Sequence, residues 1–585
     1  MVGSSQSDLR SSDDISRRAA IIGVALAVAI GAALRFYGLG WGAPYFHFHI
    51  DEHQVFNDAY LLARDARQAA MSPKFFMYSP LPAYLLNVLV DIYEVFGHRL
   101  DLSVPRDEVT YMLLGRSISA VLGSATIPAI YLVAERVGGR LAGVLAACFL
   151  ACAVIHVRDS HFFALDVSMA FFTVVAWHFL NRIIERGDRT ADIGAAVSLG
   201  LGLLSKYSAA FLAPLLALAQ LLSPSGPRGV RPFGPWVRLA LRSAASVALG
   251  IIVFLALDPL VVQYYAKFRS DIKDWVIDPL SGAVRPLWIG QFADVSALPY
   301  WFTNLLWWSL GPALECWALA GVIWLLFRRD RVAILAAAFP IVYWLSAGRT
   351  ATIAPFIRYT VPLAPPLALA AGVLSADLIR RPRWRPLGIG ATAVVLAATA
   401  GWAVAYMNVF RQPDSRLAAS KWLIQNVPAE SKILVEPSHN IPPMGSYLTA
   451  VDFTEPVGDY ALWAARAGAE KHDYYRLYAL DVYRYLYDRG RSDDDRRRYI
   501  ESRLALADWI VMDDTFLQQY QHLPERDHAV VKQYYRDLFA GRLGFQLVQS
   551  FKVYPSLFGH DINDDGAELT FRLFDHPRVF IFRRQ

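Results

Sequence analysis

In the stretch FHFHIDEHQVF, at 46–56, three histidines and two adjacent acids share the seven positions from His47 to His53. Two chemistries compete for them. His47, His49 and His53 form an HxHxxxH pattern that, with Asp51 and with His161 from further along the chain, could hold a divalent cation; the same HxH in an aromatic loop also suits plain packing. Asp51 and Glu52 are residue types that withdraw a proton from a hydroxyl within hydrogen-bond reach, while Asp51 could also simply cap the helix DEHQVFNDAYLLARDA. Two more acids, Asp159 and Asp166, lie in HVRDSHFFALD at 156–166, and acids beside apolar runs are costly unless paired or used. Lys206 interrupts SLGLGLLSKYSAAFLAPLLALAQLL, and Arg358 precedes YTVPLAPPLALAAG with Arg349 nearby. Each either snorkels to the water or meets a phosphate at the membrane surface, where low dielectric strengthens the pairing. Acids together with cations can move a group from a lipid-linked phosphate to an acceptor: the carboxylate takes the proton and the cations offset charge on the departing phosphate. DINDDGAE, at 561–568, lacks the later bidentate Glu of a calcium loop and reads as a polar turn.

Such residues need elements that hold them at one membrane rim. The 585 residues are 55% hydrophobic, 13% aromatic and 18% charged, with a mean hydropathy of +0.31, which excludes an ordinary soluble multidomain protein. The net charge of +6 is spread over short loops between apolar runs rather than gathered on one soluble segment, so no nucleic-acid partner is implied. Runs long enough to cross the bilayer fall near 19–38, 110–135, 141–157, 167–184, 191–204, 207–222, 243–260, 300–327, 331–347, 359–379 and 387–407. With these eleven crossings, the basic clusters at 17–18, 136–140, 182–189, 228–242, 328–331 and 380–385 all fall on one side, which the positive-inside rule makes cytoplasmic. Counting PLPAYLLNVLVDIYEVFG as a crossing would break that agreement, so it is expected to lie in the interface. The first run is read as a retained span rather than a cleaved leader. Cys148, Cys152 and Cys316 all sit in apolar runs and imply no disulfide framework.

The expected organisation is therefore a cytoplasmic tail at 1–18, a polytopic helical membrane domain at 19–407, and an extracytoplasmic α/β domain at 408–585. The last carries strands at KILVEP, DWIVMDD and RVFIFRR, a helix at SRLAASKWLIQNV, and a solvated helix pair over 471–503.

The ordered set FHIDEHQVFNDAYLLARD, SPKFFMYSPLPAYLL, GRSISAVLGSATIPAIYLVAERVGGRLAGVLAA, HVRDSHFFALDVSMAFF, LLSKYSAAFLAPL, FIRYTVPLAPPLALAAG and FDHPRVFIFRR resembles bacterial members of the protein O-mannosyltransferase and aminoarabinose-transferase superfamily. These are GT-C integral-membrane glycosyltransferases that use polyprenyl-phosphate-linked monosaccharides. The resemblance covers most of the membrane half. It implies Asp51 as catalytic base with Glu52 beside it, a second acid at Asp166 or Asp159, and Lys206 and Arg358 facing the lipid phosphate. Aminoarabinose transferases place a lysine directly before a Pro-Pro-Leu turn. Here the sequence is Tyr78-Ser79-Pro80-Leu81, with Lys74 four residues earlier as the candidate substitute.

The implied reaction is an inverting transfer from a polyprenyl-phosphate sugar to a hydroxyl on a glycan, lipid or protein, in the cell envelope. It requires no cofactor, with a divalent metal as the added alternative at the histidines. The rival reading is a lipid-carrier flippase or transporter, which would place its polar groups at mid-membrane and show repeated halves. No such repeat is visible.

Overall fold

The computed structural model describes residues 15–43, 49–102, 104–227, 233–348, 354–444, 446–448, 475–488 and 490–585. His47, Arg228, Arg231 and Arg349 lie outside them.

Local chemistry sets the helix ends. Ser16 caps Arg17–Phe36 by accepting from the N–H of Ala19. Leu165–Arg186 stops at Gly187 in the left-handed region, and Asp188 then opens Arg189–Ser205 by accepting from the N–H of Ala191. Asp330 does the same for Arg331–Tyr343. Pro105–Cys152 is two arms rather than one rod: Gly139 has φ 80 and ψ 177, and the chain reverses there so that Tyr131 packs on Gly143. A side chain at that φ would be strained. The carbonyls left open where the second arm ends are taken up by the fully buried Arg35, whose guanidinium donates to the oxygens of Leu150 and Ala151 at 3.2 and 3.1 Å.

Among the described residues six helices are long and apolar enough to cross a membrane, or seven if Leu298–Leu310 and Pro312–Arg328 form one span. This is a multi-pass membrane protein. The expected straight run at 300–327 is instead bent by 117°, at Gly311 with φ 79. Other expected runs are helical but shorter than a full crossing: Tyr207–Leu222 and Arg331–Ser346 fall short of the roughly 20 residues a bilayer needs. Ile357–Arg380 is the most enclosed of the six. Its Gly372 lets it meet the Pro105–Cys152 hairpin closely, since a Cβ there would lie 2.7 Å from the backbone of Ala142 and Ala146.

The basic turns share one end of this bundle. Arg140 donates to Ile15 O, Arg328 to Val137 O and Arg380 to Gly138 O, while Arg242 pairs with Asp192 and reaches Gly187 O. At the opposite end lie Ile50–Arg64 and Leu81–Phe96. The second helix turns Val88, Ile92, Val95 and Phe96 outward and buries Leu81, Ala83 and Leu86, as an interfacial helix should.

Beyond Met407 the chain forms a six-stranded sheet of β1 Ser431–Val435, β2 Ser446–Leu448, β3 Tyr475–Ala479, β4 Trp509–Asp513, β5 Phe545–Phe551 and β6 Val579–Arg584. Their order is β2-β3-β1-β4-β6-β5. The first four are parallel to one another, and β6 runs antiparallel to both of its neighbours, β4 and β5. Alternation divides the two cores: Ile433, Val435, Val511 and Ile581 pack toward Ser415–Asn426, while Leu434, Ile510, Met512 and Phe582 meet Asp493–Leu506 and Glu525–Phe539. One expectation is corrected here. Within 471–503, YRLYA is strand β3, burying Tyr475, Leu477 and Ala479 at every second position, and only Asp493–Leu506 is helical among the described residues.

Candidate functional site

Asp51 sits in the first turn of Ile50–Arg64, but it does not cap that helix. The N-cap is His49, whose Nδ1 accepts from the N–H of Glu52 at 3.3 Å. Asp51 is thereby released to face other elements. Its Oδ1 accepts from the hydroxyl of Tyr78 at 2.6 Å, and its Oδ2 pairs with the Arg358 guanidinium. Tyr78 comes from the loop before Leu81–Phe96, and Arg358 from the tight turn Ile357–Leu363 that opens the enclosed helix. Burial, reinforced by Asp58, Tyr359 and Asp166, pushes Tyr78 above the ordinary phenol range, so it remains a donor.

A second acid–cation pair stands beside the first. Lys206 ends Arg189–Ser205 in extended conformation, and its Nζ donates to Asp166 Oδ1 at 2.6 Å. The Tyr359 ring links the pairs, 5.2 Å from Lys206 Nζ and 5.9 Å from the Arg358 guanidinium carbon. In each pair the cation is the more open member: Arg358 and Lys206 side chains are 25% and 20% exposed, against 12% for Asp51 and 6% for Asp166.

The other sequence-derived candidates go elsewhere. Glu52 receives Arg116 in a two-pronged pair, Nε to Oε1 and Nη2 to Oε2 at 2.8 Å each, and also accepts from the N–H of Phe163 at 2.9 Å. Arg116 in turn donates to the carbonyls of Leu39 and Trp41. This knot ties Ile50–Arg64 to three other segments and turns Glu52 away from Asp51's partners. Asp159 binds Arg158 at 2.8 Å, and Arg158 also holds Asp575 and Thr570 O in the C-terminal domain. Burial raises Asp159 to about 7 against the pull of Arg158. Lys74 lies over the Trp275 ring at 4.2 Å, outside both pairs.

Of the histidines considered for a cation, His47 lies outside the described residues, and His49 and His161 take other partners. His49 is sandwiched between Phe162 and Phe574 at centroid distances of 4.8 and 4.1 Å. Burial, then Arg158 and Arg358, hold it well below the ordinary imidazole range, which suits its accepting nitrogen. Both ring nitrogens of His161 sit at 2.9 Å from backbone carbonyls, those of Val157 and Tyr37, and its ring stacks on Phe410. His53 follows one turn after His49 on the same helix. Among the described residues no three His, Cys, Asp or Glu side chains converge on a point that could hold a metal.

The C-terminal domain reaches both flanks of the site through 568–576. Phe574 covers His49, two residues from Asp51, while Glu568 Oε2 accepts from the N–H of Ile357 at 2.9 Å, next to Arg358. Asp575 and His576 anchor that segment: Asp575 accepts from Arg158 and from Tyr406 at 2.6 Å, and His576 lies between Asp575 and Asp564 at 2.6 and 2.7 Å. Asp564 of the DINDDGAE turn is thus fully buried and paired.

Sequence reasoning missed Tyr78 and Tyr359. Tyr78 stands at the departure from the lysine-before-proline pattern, and that departure was the available signal. Tyr359 directly follows Arg358 and carried none.

Residues 112–253 match the dolichyl-phosphate-mannose-protein mannosyltransferase family. No curated protein sequence matches the chain. Similar solved structures include the oligosaccharyltransferase AglB from Archaeoglobus fulgidus in complex with an inhibitory peptide and a dolichol-phosphate, 13% identical over 88% of this chain and 72% of that one, with a TM-score of 0.47. ArnT from Cupriavidus metallidurans bound to undecaprenyl phosphate is 15% identical over 97% of this chain and 98% of that one, also with a TM-score of 0.47.

Proposed function

We propose that this chain is a GT-C membrane glycosyltransferase that moves a monosaccharide from a polyprenyl-phosphate donor to a hydroxyl acceptor, with inversion, at the outer face of the membrane. The observation that carries the reading is the Asp51–Tyr78–Arg358 cluster beside Asp166–Lys206, with each cation more exposed than the acid it pairs with. The family match over 112–253 supports the donor class. The shared end of the basic turns supports an odd number of traverses, with that end and the N-terminus in the cytoplasm and the C-terminal domain outside.

In the proposed mechanism the donor phosphate draws Arg358 and Lys206 toward itself. Asp51 Oδ2, relieved of Arg358, then accepts the acceptor's proton, while Tyr78 holds Oδ1 and so fixes the carboxylate's orientation. The acceptor oxygen bonds to the anomeric carbon as the bond from that carbon to the phosphate oxygen breaks. The electron pair leaves with the phosphate, and the two cations offset its charge. Base and donor site are coupled, because Asp51 is opened by the ligand that must bind first. No step is routed through a metal. Of the two second-acid candidates, Asp166 belongs to this site through Lys206, and Asp159 is assigned to holding the C-terminal domain. Glu52 positions Asp51's helix.

The test is to reconstitute the purified chain in nanodiscs and offer a panel of radiolabelled polyprenyl-phosphate hexoses and pentoses with envelope extracts as acceptor. The expected result is release of polyprenyl phosphate with label in a product of inverted anomeric configuration. Label that stays on the lipid with every donor, or retained configuration, rejects the reading.

A further inference from the structure

The short hairpin at 556–561 is built in a way that water does not explain. Its strands pair Ser556 with Asp561 and Leu557 with His560, leaving a two-residue loop, Phe558-Gly559. Both loop residues have positive φ, 52 and 82. A loop of this kind takes Asn-Gly or Asp-Gly readily, whereas a bulky residue at the first position is backbone-strained. Here that residue is Phe558, and its side chain is 91% exposed. An aromatic ring is thus held in a strained conformation and directed away from the protein, and two unfavourable features coincide at one residue.

The hairpin's position says what lies beyond the ring. Asn408, one residue past the end of Arg385–Met407, donates from Nδ2 to Ser556 O at 2.5 Å, and Leu557 lies against Gly401 of that helix. Gly401 is six residues short of Met407, about 9 Å along the axis. The helix itself is one of the six long and apolar enough to cross the bilayer. The neighbouring residue, Trp402, donates its indole N–H to Trp308 O and stacks on Phe571; tryptophans gather at the level where hydrocarbon meets headgroups. The hairpin therefore hangs beside a membrane helix at the height of the bilayer interface, on the side from which the C-terminal domain descends.

We infer that Phe558 is a lipid anchor: the 556–561 hairpin inserts its tip into the interfacial layer of the bilayer and pins the C-terminal domain to the membrane beside the last helix. This rests on the multi-pass membrane character of the chain and is independent of the reaction proposed above. The strained tip is stabilised once the ring leaves water, and the exposed His560 and Asp561 behind it remain at headgroup level.

The test places an environment-sensitive NBD fluorophore at His560→Cys in the full chain, with Cys148 and Cys316 replaced by alanine, in phosphatidylcholine/phosphatidylglycerol nanodiscs. A second probe at Arg497→Cys, on the exposed face of Asp493–Leu506, is the water reference. The expected result is quenching of the 560 probe by lipids carrying a shallow nitroxide, at least about twofold weaker in a Phe558→Ser background, with little quenching by iodide. Iodide quenching equal to that at 497 would overturn the inference. So would protection from both quenchers, which would mean that protein, such as a second copy of the chain, covers the tip. Lipid quenching unchanged by Phe558→Ser would also overturn it, since the ring would then not set the depth.

Discussion

At the scale of single residues, two neighbouring acids on one helix carry different burdens, and their substitutions separate them. Asp51→Asn keeps the size and the Tyr78 contact but removes the base; transfer is expected to fall by about 100-fold or more, with thermal unfolding nearly unchanged. Glu52→Gln breaks a pair whose side chains are 1% and 3% exposed. It is expected to cost about 3–5 kcal/mol, read as a lowered Tm in detergent. A Glu52→Gln chain with wild-type Tm and no activity would move the base to Glu52. Lys206→Met and Arg358→Met remove the paired cations, and each is expected to lower kcat/KM for the donor by about 10–100-fold, mostly through KM. The sequence brought Asp51, Asp166, Lys206 and Arg358 forward because charge beside apolar runs is costly. It left Tyr78 and Tyr359 unseen because aromatic residues are unremarkable there. It could not separate Asp51 from Glu52, since only the fold shows where Arg116 lands.

At the scale of elements, the proposed base, Asp51, is held by contacts between segments far apart in the chain. His49 caps the helix of Asp51 and is itself held by Phe162 and Phe574. Phe574→Ala should therefore loosen the helix start and lower kcat about 3–10-fold, the scale of an aromatic pair, with donor KM little changed, and Phe574→Leu should restore most of the rate. A fall in donor KM-dependent terms alone would contradict this positioning role. Periodicity and charge parity made the helices legible, and the retained alternation in KILVEP, DWIVMDD and RVFIFRR made three strands legible. Strand β3 was misread as helix because YYRLYAL mixes long aromatic and charged residues that suit either period. The bend at Gly311 was hidden inside a continuous apolar run, where hydropathy does not report direction.

At the scale of the whole molecule, the two halves are joined by buried charges. Burial opposes a charged His576, but Asp564 and Asp575 outweigh it and raise the ring to about 9 from its ordinary 6.5. Its contribution is therefore fully present below about pH 6.5 and lost as pH rises through about 9, and it amounts to something on the order of 3 kcal/mol. Burial likewise opposes a charged Asp575, but Arg158 and His576 hold it below the ordinary carboxylate range, so its share persists above about pH 4. Thermal unfolding should accordingly show a plateau between about pH 4 and 6.5, a decline from there to about pH 9 and a levelling beyond it, and His576→Gln should flatten that decline; a wild-type Tm constant from about pH 6 to about pH 9 would contradict the account. That apolar helices precede a C-terminal α/β sheet region was legible from hydropathy. The latch was not, because Arg158 lies 417 residues before Asp575 and its neighbour His576, and all three look like ordinary surface charges until they are buried together. The central claim is that this assembly exists to let Asp51 deprotonate an acceptor in front of a cation-held lipid phosphate. It is tested most directly by comparing sugar transfer from a polyprenyl-phosphate donor by wild-type and Asp51→Asn chains of equal Tm in the same nanodiscs. The account predicts transfer by the first and a loss of about 100-fold or more in the second; equal rates would contradict it.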